Sequence, residues 1–327
     1  MRCPTLVEGQ TALARNFLTV LKLLYGKSLL VINTARYSSR YLTYLYELIT
    51  AFNADCEVIH ALNIVKSLVS VVGLLTPKRL ITYQFSYLPE VYTNWRIKRA
   101  VIERGSRLVI ATSRRIAELF SNGFFTYPPV DTELFRPRDR EAARRALKLP
   151  MDKVIIGYIG DVDVDKGFDV VAELAAKLGG RDVKFLIAYN RIDNLSKDAV
   201  ENLKTALRKN ALIVRKLLPV WYMYNAVTAL LLPIRGPYPT EPPMVLVEAL
   251  ASGTPVVGGP SPTMRDYEGF YLKVEGNYSE YVDVLKQLVT DKDSLRELSV
   301  RSREFAERNL SPQAVLQGIS KISSAWM

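Results

Sequence analysis

Apolar residues occur along the chain in two kinds of segment: short continuous runs and longer stretches with helical spacing. In the first 120 residues, continuous runs predict buried strands over residues 28–32, 57–60, 79–83 and 107–111. Between them, helical spacing predicts helices over residues 10–25, 41–52, 64–74, 90–104 and 113–120. Strands that are apolar throughout and alternate with helices are typical of a parallel sheet with helices on both faces. The pattern therefore predicts a doubly wound α/β domain.

The same alternation restarts after a proline-rich and charged segment. Residues 128–131 (PPVD) and the mixed-charge run over residues 136–145 interrupt the rhythm. A second set of strands is then predicted over residues 154–160, 184–188, 212–214, 229–232 and 256–257. We therefore predict an N-terminal domain over residues 1–145 and a C-terminal domain over 146–310. A final helix over 311–327 is expected to pack back on the N-terminal domain.

Composition limits the class of protein. The chain has 327 residues, of which 49% are hydrophobic, enough for two domains with real cores. No apolar run reaches the ~20 residues that a membrane span needs, and the N-terminus lacks a signal-peptide pattern. The two cysteines, Cys3 and Cys56, indicate neither a disulfide framework nor a metal cluster. These features predict a cytoplasmic protein.

The positive charge is confined to one half of the chain. Residues 1–150 hold 22 Lys and Arg against 11 Asp and Glu, whereas residues 151–327 hold 22 of each kind. Such asymmetry indicates an anionic partner for the first half: a membrane surface, a phosphorylated acceptor or nucleic acid. A merely solvated surface is the other interpretation.

One stretch of the second domain combines a loop, a helix, a turn and a strand. Residues 240–257 read TEPPMVLVEALASGTPVV, in which the predicted helix over 244–251 is apolar on nearly every face. Glu248 is the only acid in that helix, and Glu241 lies in the loop before it. A buried helix that carries one acid indicates a polar ligand near the helix N-terminus.

Three stretches together resemble the large retaining glycosyltransferase family 4, of the GT-B type. The first is GYIGDVDVDKGFD over residues 157–169, and the second is the stretch over residues 240–257 described above. The third comprises VIATS over 109–113 and PVDTELFRP over 129–137. The resemblance covers residues 55–327 well and residues 1–54 poorly. It implies two Rossmann-like doubly wound domains that face each other across a cleft.

The resemblance implies a donor site for a nucleoside-diphosphate sugar. Lys166, beside Gly160, and the helix N-terminus at Met244 and Val245 would hold the diphosphate without a metal or other cofactor. Glu248 resembles the residue that binds the two ribose hydroxyls, because a carboxylate accepts both well. Thr240 or Glu241 would hold the donor sugar hydroxyls, with Glu241 and Lys166 the candidate catalytic residues.

Each of these residues also has a simpler interpretation. Lys166 fits an ordinary surface lysine before a helix, and Glu241 a solvated loop acid. Glu248 fits a structural acid that is paired with a nearby arginine such as Arg265, because a buried charge without a partner is costly.

Two positions depart from the family pattern in the second domain. Asp161 follows Gly160 where the family has arginine, and an aspartate near a diphosphate would repel it. Either its side chain points away or the donor binds differently, with Arg191 or Arg235 as substitutes. Seven residues separate the paired glutamates of the family, whereas six residues separate Glu241 and Glu248, so Thr240 occupies the first position unless the loop shifts by one.

The first domain departs from the pattern as well. Gln84 stands where the family carries a histidine near the reacting sugar, and the only histidine, His60, is predicted to end the preceding strand. His60 is therefore a candidate for proton transfer, with a structural role as the alternative. Gly9 and Gln10 resemble the acceptor loop. No apolar run precedes Gly9, so the first strand of this domain is expected to be missing; either the natural chain starts upstream or the fold is trimmed.

The leading hypothesis is therefore a retaining, metal-independent glycosyltransferase. The basic segment over residues 94–104 indicates attachment to an anionic membrane, on its inner face, and a lipid-linked acceptor. A relative that kept the fold and binds nucleotide-sugar or glycan without catalysis is the second hypothesis. Nucleic-acid binding is not expected, because no aromatic and basic recognition motif is present.

Overall fold

A computed structural model describes residues 3–7, 12–26, 29–33, 40–55, 58–62, 69–192, 195–216, 220–236, 240–276 and 278–326. The chain forms two compact units. The first unit comprises residues 1–129, 239–244 and 309–327, and the second comprises residues 130–238 and 245–308.

The first unit contains a six-stranded parallel sheet. Its strands are β1 (Cys3–Val7), β2 (Leu29–Asn33), β3 (Val58–Leu62), β4 (Arg79–Gln84), β5 (Leu108–Ala111) and β6 (Gly123–Phe125). The strand order is β2-β1-β3-β4-β5-β6, and every pair is parallel. The order reverses at β1, as it does in doubly wound folds.

Strand β1 corrects the expectation that the first strand is missing. Thr5, Leu6 and Val7 pair with β3 on one side, while Cys3 to Val7 pair with β2 on the other. Pro4, which has no N–H to donate, precedes the part that pairs on both sides. The segment has no apolar run, so its strand conformation follows from pairing with two neighbours, a tertiary effect that the sequence pattern does not reveal.

The helices of the first unit surround this sheet. They are α1 (Ala12–Tyr25), α2 (Arg40–Asn53), α3 (Ser70–Leu75), α4 (Leu88–Val91), α5 (Trp95–Gly105), α6 (Arg114–Ala117) and, at the end of the chain, α14 (Pro312–Trp326). The helix predicted over 90–104 is two helices, because Tyr92 is extended and Asn94 begins α5. The prediction over 64–68 lies outside the described residues.

Helices α1 and α14 pack together in one apolar cluster. Leu13, Phe17 and Leu21 of α1 lie buried with Val315 and Ile319 of α14. Phe85 stacks on Phe17 with ring centroids 5.5 Å apart, and the tilted ring of Tyr83 lies 5.2 Å from that of Phe17. Truncation of a buried aromatic such as Phe17 to alanine costs about 3–5 kcal/mol.

The second unit contains another six-stranded parallel sheet. Its strands are β7 (Val154–Val162), β8 (Val183–Ile192), β9 (Leu212–Lys216), β10 (Ala229–Leu232), β11 (Val256–Gly258) and β12 (Leu272–Lys273), in the order β12-β11-β10-β7-β8-β9. Its helices are α7 (Arg140–Ala146), α8 (Phe168–Leu178), α9 (Lys197–Arg208), α10 (Val220–Ala226), α11 (Met244–Ala251), α12 (Tyr278–Thr290) and α13 (Lys292–Asn309). This strand order is that of a dinucleotide-binding domain. The two parallel sheets confirm the predicted pair of doubly wound α/β units.

The division between the units differs from the predicted boundary. The first stretch of the first unit ends at Pro129, so α7 belongs to the second unit, where it contacts α10. Asn225 of α10 fixes the connecting segment, donating to the carbonyl of Arg136 at 3.1 Å and accepting from the Arg138 N–H at 2.6 Å. The mixed-charge run over residues 136–145 is therefore anchored to the second unit at Arg136 and Arg138.

Candidate functional site

The carboxyl end of β7 leads through a short turn into α8. Gly160 has a φ of +142°, a value that favours glycine, and the register with β8 shifts between Gly160 and Val162. A 3₁₀ turn over Val164–Lys166 follows, with the Asp163 carboxylate accepting from the N–H of Asp165 at 3.0 Å. This end of the sheet is where ligands bind in doubly wound folds.

Gly167 permits a close approach between this turn and the segment after β10. Its φ is +77°, and a Cβ atom there would lie 2.1 Å from the carbonyl oxygen of Pro233. Any side chain would therefore push α8 away from the end of β10. The Lys-Gly pair singled out in the sequence thus fixes where Lys166 lies relative to the sheet.

Lys166 is paired with Asp161. Its ammonium group donates to Oδ2 of Asp161 at 2.7 Å, and both side chains are mostly buried, with 20% and 16% exposed. The backbone carbonyl of Asp161 also accepts from the Tyr158 hydroxyl at 2.6 Å. The cation predicted to hold a diphosphate therefore lies against a carboxylate of its own chain.

The segment after β10 brings further polar groups to the same edge. Arg235 donates to both carboxylate oxygens of Asp169, at 2.8 and 2.9 Å, so the arginine considered as a substitute cation also has an acidic partner. Ser261 donates to the carbonyl of Gly236 at 2.8 Å. Ser261 and Asp169 were not predicted from the sequence, although the Pro-Ser-Pro run over 260–262, which follows β11 after one glycine, is a turn signal.

Glu248 lies in α11 and is held by a tyrosine. The Tyr224 hydroxyl donates to Oε2 of Glu248 at 2.6 Å. Burial, then the negative charge of Glu248, raises the pKa of Tyr224 well above its ordinary value, so the phenol stays neutral and donating. Tyr224 is fully buried whereas Glu248 is half-buried, so one carboxylate is oriented by a fixed donor.

The start of α11 coincides with a change of unit. Thr240, Glu241 and Met244 belong to the first unit, and Val245 and the rest of the helix belong to the second. Met244 and Val245 form the first turn, whose N–H groups have no partner within the helix.

Glu241 is fully buried in the first unit. Its Oε2 accepts from Ser113 Oγ at 2.8 Å and from Arg115 Nε at 2.9 Å, and its Oε1 accepts from Arg115 Nη2. Its backbone carbonyl accepts from the Thr112 hydroxyl, and its N–H donates to the carbonyl of Phe85 at 2.8 Å. Both carboxylate oxygens therefore accept hydrogen bonds from protein donors. The simpler interpretation of Glu241 as a solvated loop acid is wrong.

Arg115 joins Glu241 to a second acid. Its two terminal nitrogens donate to the two oxygens of Glu90 at 2.8 and 2.9 Å, and its guanidinium lies 4.2 Å from the centre of the Tyr87 ring. Burial lowers the pKa of Arg115, but the bonds to Glu90 and Glu241 outweigh burial and raise it above the ordinary value. Burial raises the pKa of Glu241, against the opposing bonds from Arg115 and Ser113.

His60 lies within β3 and not at its end, because Ala61 and Leu62 continue the strand. Its Nε2 is 2.9 Å from the Tyr25 hydroxyl and its Nδ1 is 3.0 Å from the Tyr83 hydroxyl. Burial lowers the pKa of His60 from 6.5 to about 4, so the ring is neutral at pH 7. A neutral imidazole has one donor and one acceptor, and the two tyrosines engage both.

Gln84 is the last residue of β4 and is also buried. Its amide donates to the carbonyl of Ser86 at 2.8 Å, two residues along the chain. The other two candidates from the first unit, Gly9 and Gln10, lie outside the described residues.

The structure thus places the predicted residues in separate clusters. Lys166 and Gly160 lie with Asp161 at the carboxyl edge of the second sheet, and Glu248 lies with Tyr224. Glu241 lies with Ser113 and Arg115 in the first unit. Among the described residues, no group of three His, Cys, Asp or Glu side chains is arranged to hold a metal.

The two units and these clusters agree with a match to a protein family. The profile of the family "Glycosyl transferases group 1" matches residues 139–305, just over half of the chain. The chain therefore belongs to the group 1 glycosyl transferases, which confirms the family predicted from the sequence.

Individual relatives share about 30% sequence identity with this chain over the aligned residues. A D-inositol 3-phosphate glycosyltransferase from Mycolicibacterium paratuberculosis is 32% identical over 206 residues, which cover 59% of this chain and 46% of that protein. One from Mycobacterium avium is 31% identical over 59% of this chain and 48% of that protein. The aligned part thus spans about half the length of these curated relatives.

Solved structures share the fold at low identity. The Anabaena protein Alr3699/HepE in complex with UDP is 16% identical, with 99% of this chain and 100% of that chain covered and a TM-score of 0.79. The sucrose-phosphate synthase of Thermosynechococcus elongatus is 15% identical over 99% of this chain and 98% of that one, with a TM-score of 0.75.

Proposed function

We propose that this protein transfers a sugar from a nucleoside-diphosphate sugar to an anionic acceptor. The observation that carries the proposal is the carboxyl edge of the second sheet, where the Lys166 turn follows β7, in a chain that belongs to the group 1 glycosyl transferases. The HepE structures of similar fold are described as complexes with UDP and UDP-glucose. In this proposal Lys166 and the first turn of α11 compensate the charge of the leaving diphosphate.

Glu248 is assigned to the ribose of the donor. The Tyr224 hydroxyl holds one carboxylate oxygen at 2.6 Å, which orients the group for bidentate acceptance from two neighbouring hydroxyls. Since Tyr224 stays neutral, it keeps donating while Glu248 accepts. This role of the pair supports binding of a nucleotide and requires no proton transfer by the protein.

We propose retention of configuration without a metal, with the leaving diphosphate as the base that takes the acceptor proton. Two features of the first unit support this assignment. Gln84 does not titrate, and His60 has both ring nitrogens engaged by tyrosines. Neither is well suited to be a general base, so the protein contributes position and charge compensation.

The contacts of Glu241 favour a positioning role. Its two oxygens are held by Ser113 and Arg115, so we assign it to anchoring the segment before α11 on the first unit. Thr240, which is half-buried, is then the neighbour assigned to a donor sugar hydroxyl.

Transfer of radiolabelled sugar from a panel of nucleotide-sugars tests the proposal. Lys166→Ala and Glu248→Ala are each expected to lower kcat/KM by at least tenfold, because each removes a charged contact to the donor. Lys177→Ala is the control, since this exposed lysine of α8 pairs with Glu173 and lies over the ring of Tyr278. Full activity in both site variants would remove the site assignment.

A second candidate function is binding of a nucleotide-sugar without turnover. The 2.7 Å pair between Lys166 and Asp161 favours it, because the carboxylate reduces the positive charge available to a leaving diphosphate. Release of free nucleoside diphosphate separates the two: the enzyme produces it from the donor, whereas a binding protein holds the donor intact.

For the acceptor we propose a phosphorylated or lipid-linked molecule at an anionic membrane surface. Helix α5 presents Arg96 and Arg104 as exposed cations. Helix α2 presents an exposed apolar stripe, with Leu42 and Leu45 each 55% exposed, followed by Tyr46, Ile49 and Phe52. Helix α3 contacts both α2 and α5, so the stripe and the cations lie on two helices that share a neighbour. Basic and apolar groups together favour peripheral binding to anionic lipid.

Two further observations concern the proposed acceptor. No helix in the described part of the chain is long and apolar enough to cross a membrane. The curated relatives are named for D-inositol 3-phosphate, an acceptor that would also suit the positive first half of this chain.

A further inference from the structure

A cavity of about 470 Å³ lies at the amino ends of the strands of the second unit. Val154 in its wall begins β7, Thr228 directly precedes β10, and Pro255 directly precedes β11. Lys166 and Asp161 lie at or beyond the opposite end of β7. Since parallel strands all run the same way, this cavity is on the other edge of the sheet from the candidate donor site.

Two helices bring four basic side chains to the cavity. Arg140 and Arg144 are four residues apart on α7, and Lys292 and Arg296 are four residues apart on α13. Like charges at this spacing lie on one face of a helix and destabilise it. Two pairs of like charges, each repulsive within its own helix, therefore face the same cavity.

Most of this charge has no counter-ion within the described part of the chain. Lys153 pairs with Asp152 and Asp182 at 2.8 and 3.4 Å, but no ion pair involves Arg140, Lys292 or Arg296 among the described residues. The cavity thus carries an excess of positive charge.

Arg144 is a fixed cation in the wall. It is 5% exposed, its Nε donates to the carbonyl of Ala226, and its Nη1 donates to the carbonyls of Met151 and Lys153, each at 2.9 Å. Burial lowers the pKa of Arg144, and the positive charge of Arg140 lowers it further, with partial compensation from Asp152. A bound anion would relieve this repulsion.

Beside the polar residues Asp152, Thr228 and Ser299, the wall presents apolar side chains, among them those of Met151, Val154, Leu288 and Leu295. A small inorganic anion would leave these side chains without a partner, whereas an organic phosphate would use both the cations and the apolar wall. Arginine is suited to phosphate because its nitrogens match two phosphate oxygens at once. We propose that this cavity binds a phosphorylated small organic molecule, with Arg140, Lys292 and Arg296 holding the phosphate.

Isothermal titration calorimetry of the full chain with phenyl phosphate and with inorganic phosphate tests the proposal. The site variant is Lys292→Gln/Arg296→Gln, and the matched control is Arg301→Gln/Arg308→Gln, which removes the same charge from exposed positions of α13 outside the cavity. All four side chains are exposed, so both variants are expected to fold, and melting curves verify this.

Saturable binding of phenyl phosphate is expected, weakened at least tenfold in the site variant and unchanged in the control. Phenyl phosphate is expected to bind several-fold more tightly than inorganic phosphate, because only it contacts the apolar wall. Equal affinity in the two variants, or no saturable binding by the natural sequence, would overturn the site. Equal affinity for the two probes would overturn the assignment of an organic phosphate. Because the readout is binding to this cavity, the result is independent of sugar transfer.

Discussion

Asp161 accepts a 2.7 Å hydrogen bond from the ammonium group of Lys166, five residues further along the chain. The pair is mostly buried, so its charges are only partly screened by water. Asp161→Asn keeps the shape of the turn and removes the negative charge. We expect UDP to bind roughly fivefold more tightly to this variant, since about 1 kcal/mol of repulsion is removed. Calorimetric titration with UDP measures the change.

Asp165→Asn is the control for that experiment, because Asp165 is exposed in the same turn and should leave the affinity unchanged. Unchanged or weaker binding in Asp161→Asn would show that its carboxylate does not oppose the diphosphate.

Tyr224→Phe removes the hydroxyl that orients Glu248 and keeps the ring in the core. A buried hydrogen bond to a carboxylate contributes about 1.5–3 kcal/mol, so we expect a loss of that order in the free energy of unfolding. Nucleotide affinity should fall as well, because Glu248 loses its fixed orientation. Urea denaturation and UDP titration measure the two effects. Tyr222→Phe, on the same helix and without a hydroxyl hydrogen bond among the described residues, should change neither.

Glu241→Gln removes the fully buried acid of an ion pair and leaves Arg115, whose side chain is mostly buried, with its other partner, Glu90. We expect a loss of about 3 kcal/mol in the free energy of unfolding, typical of removing one member of a buried pair. Glu90→Gln changes the other acid on the same arginine, but this acid is more exposed and should cost at most about 1 kcal/mol. Equal losses in the two variants would contradict the anchoring role of Glu241.

His60 gives the protein a defined dependence of stability on pH. Its pKa is lowered from 6.5 to about 4 in the folded chain, so between these values the unfolded chain binds more protons than the folded one. Stability from this group is complete above pH 6.5 and is lost as the pH falls through the window, by roughly 3 kcal/mol in total. Urea denaturation from pH 4 to 7 measures this change.

Because the chain has one histidine, the difference between it and His60→Gln isolates this group from the carboxylates. The variant should lack the histidine part of the loss. A parallel pH profile in both proteins would mean that His60 is not held neutral by burial.

The apolar stripe of α2 predicts binding to lipid vesicles. Leu42→Gln/Leu45→Gln should reduce co-sedimentation with anionic vesicles by at least tenfold, because burial of a leucine contributes about 1.5–3 kcal/mol. Leu207→Gln/Val300→Gln changes two similarly exposed apolar residues of the second unit and should have no effect. Equal binding to neutral and anionic vesicles would contradict the proposal that the cations of helix α5 contribute to membrane binding.

Local sequence pattern was sufficient for the elements that are apolar by themselves. Strands β5 and β10 are continuous apolar runs, and α11 is apolar on nearly every face, so each could be predicted from its own residues. Strand β1 could not, because Pro4 and Thr5 interrupt it and its conformation depends on β2 and β3.

The candidate side chains were found from the sequence, but their partners were not. Arg115 and Glu241 are 126 positions apart, and His60 is 35 and 23 positions from Tyr25 and Tyr83. Such contacts depend on how the elements pack against one another, and a local sequence pattern does not predict this packing. Asp161 and Lys166 are only five residues apart, so their ion pair could have been predicted from the sequence. The sequence instead indicated that Asp161 would repel the ligand.

The division of the chain has a consequence for how the protein can be cut. The first unit is assembled from three separate stretches, the last of which carries α14 onto α1. A stop codon just after Asn309 would leave every element of the second unit's sheet intact, yet it would strip Val315 and Ile319 from the core around Phe17. Loss of α14 would therefore destabilise a unit built mainly from residues 1–129, and no single cut between residues 1 and 327 releases either unit whole.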